Sequence, residues 1–117
     1  MVRDGKPFVT KSREFQPEPH AISFVTEKAP RTAAAVLPGG AVALVVVDGC
    51  EVTDEGFDLF EFAEVLIGEL GAVQAVNLDG GGSSVMVRGG EWVSRPTCND
   101  TPALCERDVT TIACLRK

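Results

Sequence analysis

The sequence predicts an α+β fold in which a mixed β-sheet packs against one main amphipathic helix, the whole forming a partial domain. Three observations carry this. Apolar residues at Phe57, Leu59, Phe60, Phe62, Ala63, Leu66, Ile67 and Leu70 follow the i, i+3, i+4 spacing of one helix face. Apolar, β-branched runs stand before and after that helix, the pattern of a sheet-on-helix layer. The 117 residues are 44% hydrophobic and 24% charged, a globular composition for one domain at most.

Taken in chain order, the polar, proline-punctuated stretch from residue 11 to 30 reads as a surface loop containing one short strand, Ala21 to Thr26, and places His20 at the surface. Ala41 to Gly49, AVALVVVDG, is a continuous apolar run closed by Asp-Gly. That pattern predicts a strand buried on both faces in mid-sheet. Asp58, three residues before Glu61, resembles a capping box, and Gly71 can take the left-handed conformation that ends a helix. Ala72 to Asn77 reads as a strand entering a glycine-rich turn. Val85 to Arg88 and Glu91 to Ser94, joined by Gly89-Gly90, read as a β-hairpin, and Asp108 to Leu115 as a final strand.

Charge narrows the classes of function. Eleven Lys and Arg against seventeen Asp and Glu give a net charge of −6, which argues against nucleic acid and anionic membrane surfaces as partners. No apolar run approaches the roughly 20 residues of a membrane-spanning helix, and no signal peptide is visible. Four cysteines, Cys50, Cys98, Cys105 and Cys114, lack the short-spaced pairs of a structural zinc site, so disulfides are the better reading. Disulfides imply an oxidising compartment, and without an export signal the chain reads as part of a longer one. Neither a metal site nor a cofactor is read from the sequence.

The densest chemical signal is NLDGGGSS, Asn77 to Ser84. Three consecutive glycines add no packing and are tolerated where backbone takes unusual dihedrals or approaches a ligand closely. Asp79, several free backbone N–H groups and two hydroxyls at one sheet edge suit an anionic or polyhydroxylated ligand; a flexible hairpin loop is the bland alternative. It is neither a Walker loop nor a Rossmann fingerprint, because no lysine and no helix follows. Arg31-Thr32 can present a two-pronged guanidinium to a phosphate or carboxylate, or be an ordinary surface cation. Glu106-Arg107, taken alone, reads as a structural ion pair or a solvated face.

The order VRDG, APRTA, LVVVDG, helix, NLDGGGSS and ERDV resembles the C-terminal half of the phosphodiester glycosidase family, from about Val2 onward. The resemblance implies that Asp79 and Gly80, Gly81, Gly82 and Ser83 form the active-site loop, and that Arg31 and Thr32 match the family's arginine-threonine motif. Asp48 with Gly49 matches its strand-ending pair, and Glu106 with Arg107 a motif before the last strand. Asp79, Arg31 and Arg107 are then the catalytic candidates, with Thr32, Asp48, Gly80 to Ser83 and Glu106 binding substrate. The family's upstream asparagine-glycine-glycine-phenylalanine segment is not in this chain, which implies a partner: the N-terminal half of the same domain.

The implied reaction is removal of N-acetylglucosamine from a phosphodiester on a mannose-type N-glycan of a glycoprotein, exposing mannose 6-phosphate. The implied compartment is the secretory lumen, Golgi or extracellular. Two other readings stay open: a non-catalytic glycan-binding or structural half-domain, and a relative acting on envelope polysaccharide phosphodiesters. The cysteine-bearing loop PTCNDTPALCERDV also looks like a family ending, and its six intervening residues favour a Cys98–Cys105 bridge. Cys114 is then expected to pair outside this chain, with Cys50 free or differently paired. Asn99-Asp100-Thr101 is a glycosylation sequon in any secretory context.

Overall fold

The computed structural model describes residues 1–14 and 20–115. Its strands are β1 (Val2–Arg3), β2 (Lys6–Pro7), β3 (Arg31–Val36), β4 (Val42–Val47), β5 (Gln74–Asn77), β6 (Val87–Arg88) and β7 (Glu91–Trp92). Its helices are α1 (Val9–Arg13), α2 (His20–Thr26) and α3 (Leu59–Gly68). One sheet runs β2-β1-β5-β3-β4, and β6-β7 form a separate hairpin across Gly89-Gly90. The α+β class holds. Where the sequence left strand directions mixed, every ladder among the described residues is antiparallel, and an isolated bridge between Thr97 and Cys105 is parallel.

The expected helix forms as α3, and its start is a full capping box. Asp58 Oδ1 accepts the Glu61 N–H at 2.8 Å and Glu61 Oε2 accepts the Asp58 N–H at 3.1 Å. Gly71 follows at φ 65°, its N–H bonded to Ile67 O. Leu59, Phe62, Ala63 and Leu66 face the sheet and are buried, against Ala33 and Ala35 of β3, Ala75 of β5 and Val2 of β1. Alanine at the central strand positions lets the helix sit close, so Phe62 and Leu66 fill the gap. Each such side chain contributes about 1.5–3 kcal/mol of burial.

Three expectations are overturned. Within the stretch expected to be a loop with one strand, residues 11–13 end α1 and residues 20–26 are helical; residues 15–19 lie outside the described residues. Val25 buries beside α3, and the Arg31 guanidinium donates to the carbonyl oxygens of Phe24 and Glu27 at the end of the helix, a tertiary partnership that outweighs the β-propensity of the segment. β4 is an edge strand rather than a central one, with Val42 69% exposed. Asp108 to Leu115 forms no strand: none of the described strands pairs with it, and Val109, Ile112 and Leu115 are exposed.

The face of the sheet away from α3 is also apolar. Register places Ala34 opposite Leu44 and Val76, Val36 opposite Val42, and Thr32 opposite Val46, so these side chains share that face. Val76 is 57% exposed on it.

Candidate active site

Antiparallel pairing brings the start of β3 beside the end of β5, and this fixes the path of NLDGGGSS. The Leu78 N–H donates to Thr32 O at 2.8 Å and the Gly81 N–H to Pro30 O at 2.9 Å, so the loop is laid over the first residues of β3. Gly81, at φ 54°, opens a single 3-10 turn through Ser83. The approach is close: a Cβ at Gly80 would stand a tight 3.1 Å from Pro30 O, and one at Gly82 would stand 2.6 Å from the backbone oxygen of Cys98, a clash that requires glycine there.

Beneath the loop lies Arg31, only 3% exposed. Its Nε donates to Phe57 O at 3.0 Å, its Nη2 to the carbonyl oxygens of Phe24 and Glu27, and its guanidinium lies over the Phe24 ring at 5.3 Å. Burial holds its pKa below the usual arginine value, while the charges of Glu27, Glu51 and Asp58 pull the other way. It remains a cation. Among the described residues no hydrogen bond engages Nη1, the nitrogen that lies 3.9 Å from where a Gly80 Cβ would be. The surface cation considered as its bland alternative is therefore excluded.

The free backbone N–H groups expected of the glycines are not free. Gly80 N–H donates to Asp79 Oδ1 at 3.0 Å, Gly81 N–H to Pro30 O, and Gly82 N–H to Asp100 Oδ1 at 2.7 Å; Ser83 and Ser84 N–H close the turn onto Gly80 and Gly81. A loop docked on β3 spends its donors holding itself there. Asp79 is exposed at the loop's entrance, with one carboxylate oxygen on the Gly80 amide. Thr32 Oγ1 donates to Ser84 Oγ at 3.1 Å. Arg107 closes the far end, its Nε and Nη2 donating to Ser83 Oγ at 3.1 and 2.9 Å and its Nη1 to Cys98 O at 3.3 Å.

Arg31, Thr32, Asp79, Gly80 to Ser83 and Arg107 are thus gathered around one loop. Asp48 and Glu106 instead fasten its flank. Asp48 Oδ1 accepts the Arg95 N–H at 2.7 Å beside a cavity of about 330 Å³, and Glu106 accepts the Trp92 indole N–H of the β6–β7 hairpin. The Cys98–Cys105 disulfide forms as expected, and among the described residues neither Cys50, which is buried, nor Cys114, which is exposed, has a disulfide partner. Two acidic residues escaped the reading of the sequence. Asp100 lies inside the disulfide loop, and Glu51 stands where a Gly81 Cβ would collide with its Oε1. Burial, then the charges of Asp100 and Glu27, push the Glu51 carboxyl up, against the pull of Arg31 and Arg107. The signals were present: an acid directly after the strand-ending Asp-Gly-Cys, and an Asx residue suited to the left-handed φ of 55° that Asp100 adopts.

The family model for phosphodiester glycosidases matches residues 1–116. The chain belongs to this family. Among members of the phosphodiester glycosidase family, the bovine N-acetylglucosamine-1-phosphodiester alpha-N-acetylglucosaminidase is 33% identical over the whole chain and the human one 32%, the alignments covering 23% and 24% of those proteins. The chain therefore spans about a quarter of their length. The solved catalytic domain of the zebrafish N-acetylglucosamine-1-phosphodiester alpha-N-acetylglucosaminidase, auto-inhibited by its pro-peptide, superposes with a TM-score of 0.80 at 30% identity, over 92% of this chain and 37% of that one. A solved protein of Burkholderia pseudomallei is 48% identical, covering 60% of this chain and 14% of its own, with a TM-score of 0.53.

Proposed function

We propose that this chain carries the glycine-loop part of a glycosidase active site that hydrolyses an N-acetylglucosamine 1-phosphodiester on a mannose-type glycan, exposing mannose 6-phosphate. The observation that carries this reading is an exposed carboxylate, Asp79, followed in the loop by Gly80, whose Cβ position lies 3.9 Å from Nη1 of the buried Arg31. In the reaction the bond between the anomeric carbon and the phosphate oxygen breaks, and its electron pair leaves on a phosphomonoester. The conjugate acid of that group has a pKa of about 6, so little general-acid help is needed. Holding the anion and assisting attack at carbon remain. Arg31 suits the first through Nη1, its other nitrogens being tied to carbonyl oxygens so that the cation is oriented before the ligand arrives. Asp79 suits the second, as a base taking the proton of the attacking water or as a nucleophile at the anomeric carbon.

The remaining site components and the cover for the outer sheet face come, in this reading, from the N-terminal part of a longer domain. The apolar face formed by Ala34, Val36, Val42, Leu44, Val46 and Val76, and the 37% share of the zebrafish domain, support it. The disulfide supports an oxidising compartment such as the secretory lumen, and the names of the mammalian relatives support an N-acetylglucosamine 1-phosphodiester as substrate. The bacterial match at 48% identity favours a second reading, in which the phosphodiester belongs to an envelope polysaccharide. Assay of the full-length protein on both substrate classes separates the two. In that protein Asp79→Asn is expected to lower turnover at least about a hundredfold with circular dichroism unchanged. Turnover within a few-fold of the parent would move the chemistry away from Asp79.

A further inference from the structure

Asp100 is the residue on which three separate segments meet. Its carboxylate Oδ1 accepts the Gly82 N–H at 2.7 Å, and its Oδ2 lies 3.6 Å from Arg107 Nη1. Its carbonyl oxygen accepts the Val52 N–H at 3.3 Å and faces the Cys50 thiol at 3.4 Å, while its own N–H donates to Thr97 O at 2.8 Å. The turn it occupies is closed by the Cys98–Cys105 disulfide, and the backbone on its N-terminal side, at Thr97 and Cys98, leaves no room for a Cβ at Gly82. The neighbouring Ser83 is gripped by Arg107, which the same carboxylate faces.

We propose that Asp100 is a positioning residue for the glycine-rich loop, its carboxylate fixing the Gly82 amide and steadying Arg107 so that Asp79, three residues upstream, is held at a constant place relative to Arg31. The inference rests on the functional reading above, and it assigns Asp100 no contact with substrate. Its physical basis is leverage. Among the described residues the Gly80 amide is held by the adjacent Asp79 and the Ser83 and Ser84 amides by the turn itself, so the anchors from outside are Thr32 O on the Leu78 amide, Pro30 on the Gly81 amide, Asp100 on the Gly82 amide, the Thr32 hydroxyl on the Ser84 hydroxyl and Arg107 on the Ser83 hydroxyl. Of these Asp100 is the one that engages both loop backbone and a second anchor. Glycines resist displacement poorly once an anchor is gone. A shift of about 1 Å in a reacting group lowers rates by about a hundredfold.

The test compares Asp100→Gly with Asp100→Asn in the full-length protein. Glycine removes the carboxylate while tolerating the positive φ, and asparagine tolerates that φ while keeping an acceptor for the Gly82 amide. Turnover is expected to fall about ten- to a hundredfold in Asp100→Gly with KM changed less than about threefold, and to return to within about fivefold of the parent in Asp100→Asn. Amide exchange at Gly82 is expected to quicken at least about tenfold in the glycine variant alone, with the α3 amides unchanged as the measure of intact folding. Unchanged Gly82 exchange in Asp100→Gly, or equal damage by glycine and asparagine, would overturn the proposal. If the parent hydrolyses no phosphodiester while Gly82 exchange responds as described, the functional reading fails and the anchoring role stands.

Discussion

Around α3 the chain is held by shape. Phe62, Ala63 and Leu66 are fully buried against small strand residues, and the one side-chain ion pair to the helix among the described residues, Lys28 with Glu61 at 2.9 Å, is half exposed. Around Gly80 to Ser84 the reverse holds: five consecutive amides are hydrogen-bonded, two of them to the carboxylates of Asp79 and Asp100, Arg31 and Arg107 lie against the loop, and a disulfide closes the segment that holds Asp100. An apolar layer distributes its stabilisation over many contacts and sets whether the domain folds. A polar loop places a few atoms by individual bonds, so losing one moves the site and leaves the fold standing.

The most severe way to break the contrast is Phe62→Ala, which opens a cavity in the layer and is expected to cost about 3–5 kcal/mol in urea unfolding of the full-length protein. A loss well below that range would mean that the layer relaxes into the gap. Cys98→Ser with Cys105→Ser removes a short loop closure, with an expected cost of about 2.5 kcal/mol in chain-entropy terms. Hydrogen exchange should report it as faster exchange at Gly82 before any change in α3; equal acceleration in both regions would erase the distinction between them.

Glu51→Gln gives the smallest effect and sharpens the electrostatic side. Burial and the neighbouring Asp100 raise the Glu51 carboxyl in the folded chain, so the native state holds this proton more tightly than the unfolded one. Stability is fully present below the ordinary glutamate pKa, falls as pH rises from there through the raised folded value, and is level above it. Glutamine removes the charge. The variant should therefore melt at a higher temperature than the parent at pH 7, with the gain vanishing below about pH 4. A lower melting temperature at pH 7 would show that Glu51 is held by Arg31 and Arg107 more than it is opposed by Asp100.

Local patterns were legible in the sequence. The helical spacing from Phe57 to Leu70, the Asp58–Glu61 box, the Gly89-Gly90 hairpin and the Cys98–Cys105 closure each depend on residues near one another in the chain, and each formed. What failed depended on distant partners. Ile22, Phe24 and Val25 are residues of strand type, yet they lie in a helix that ends against Arg31. Val42 to Val47 has the composition of a buried strand, but only β3 pairs with it. The glycine-rich loop was found by its rarity. Its closed set of amide bonds was not, because Pro30 and Asp100 lie 51 and 18 residues away from their donors.

That single pairing of β4 has a consequence for solubility. From Val42 to Val47 the edge carries no charged residue and no proline, the features with which natural sheets discourage unwanted partners. Its outward backbone groups repeat at the spacing of a β-ladder, so a second copy of the same strand fits them as readily as any intended neighbour. Prepared by itself, the chain is expected to associate through this strand as its concentration rises, which sedimentation would report, and a lysine placed at Val42, already 69% exposed, is expected to blunt it.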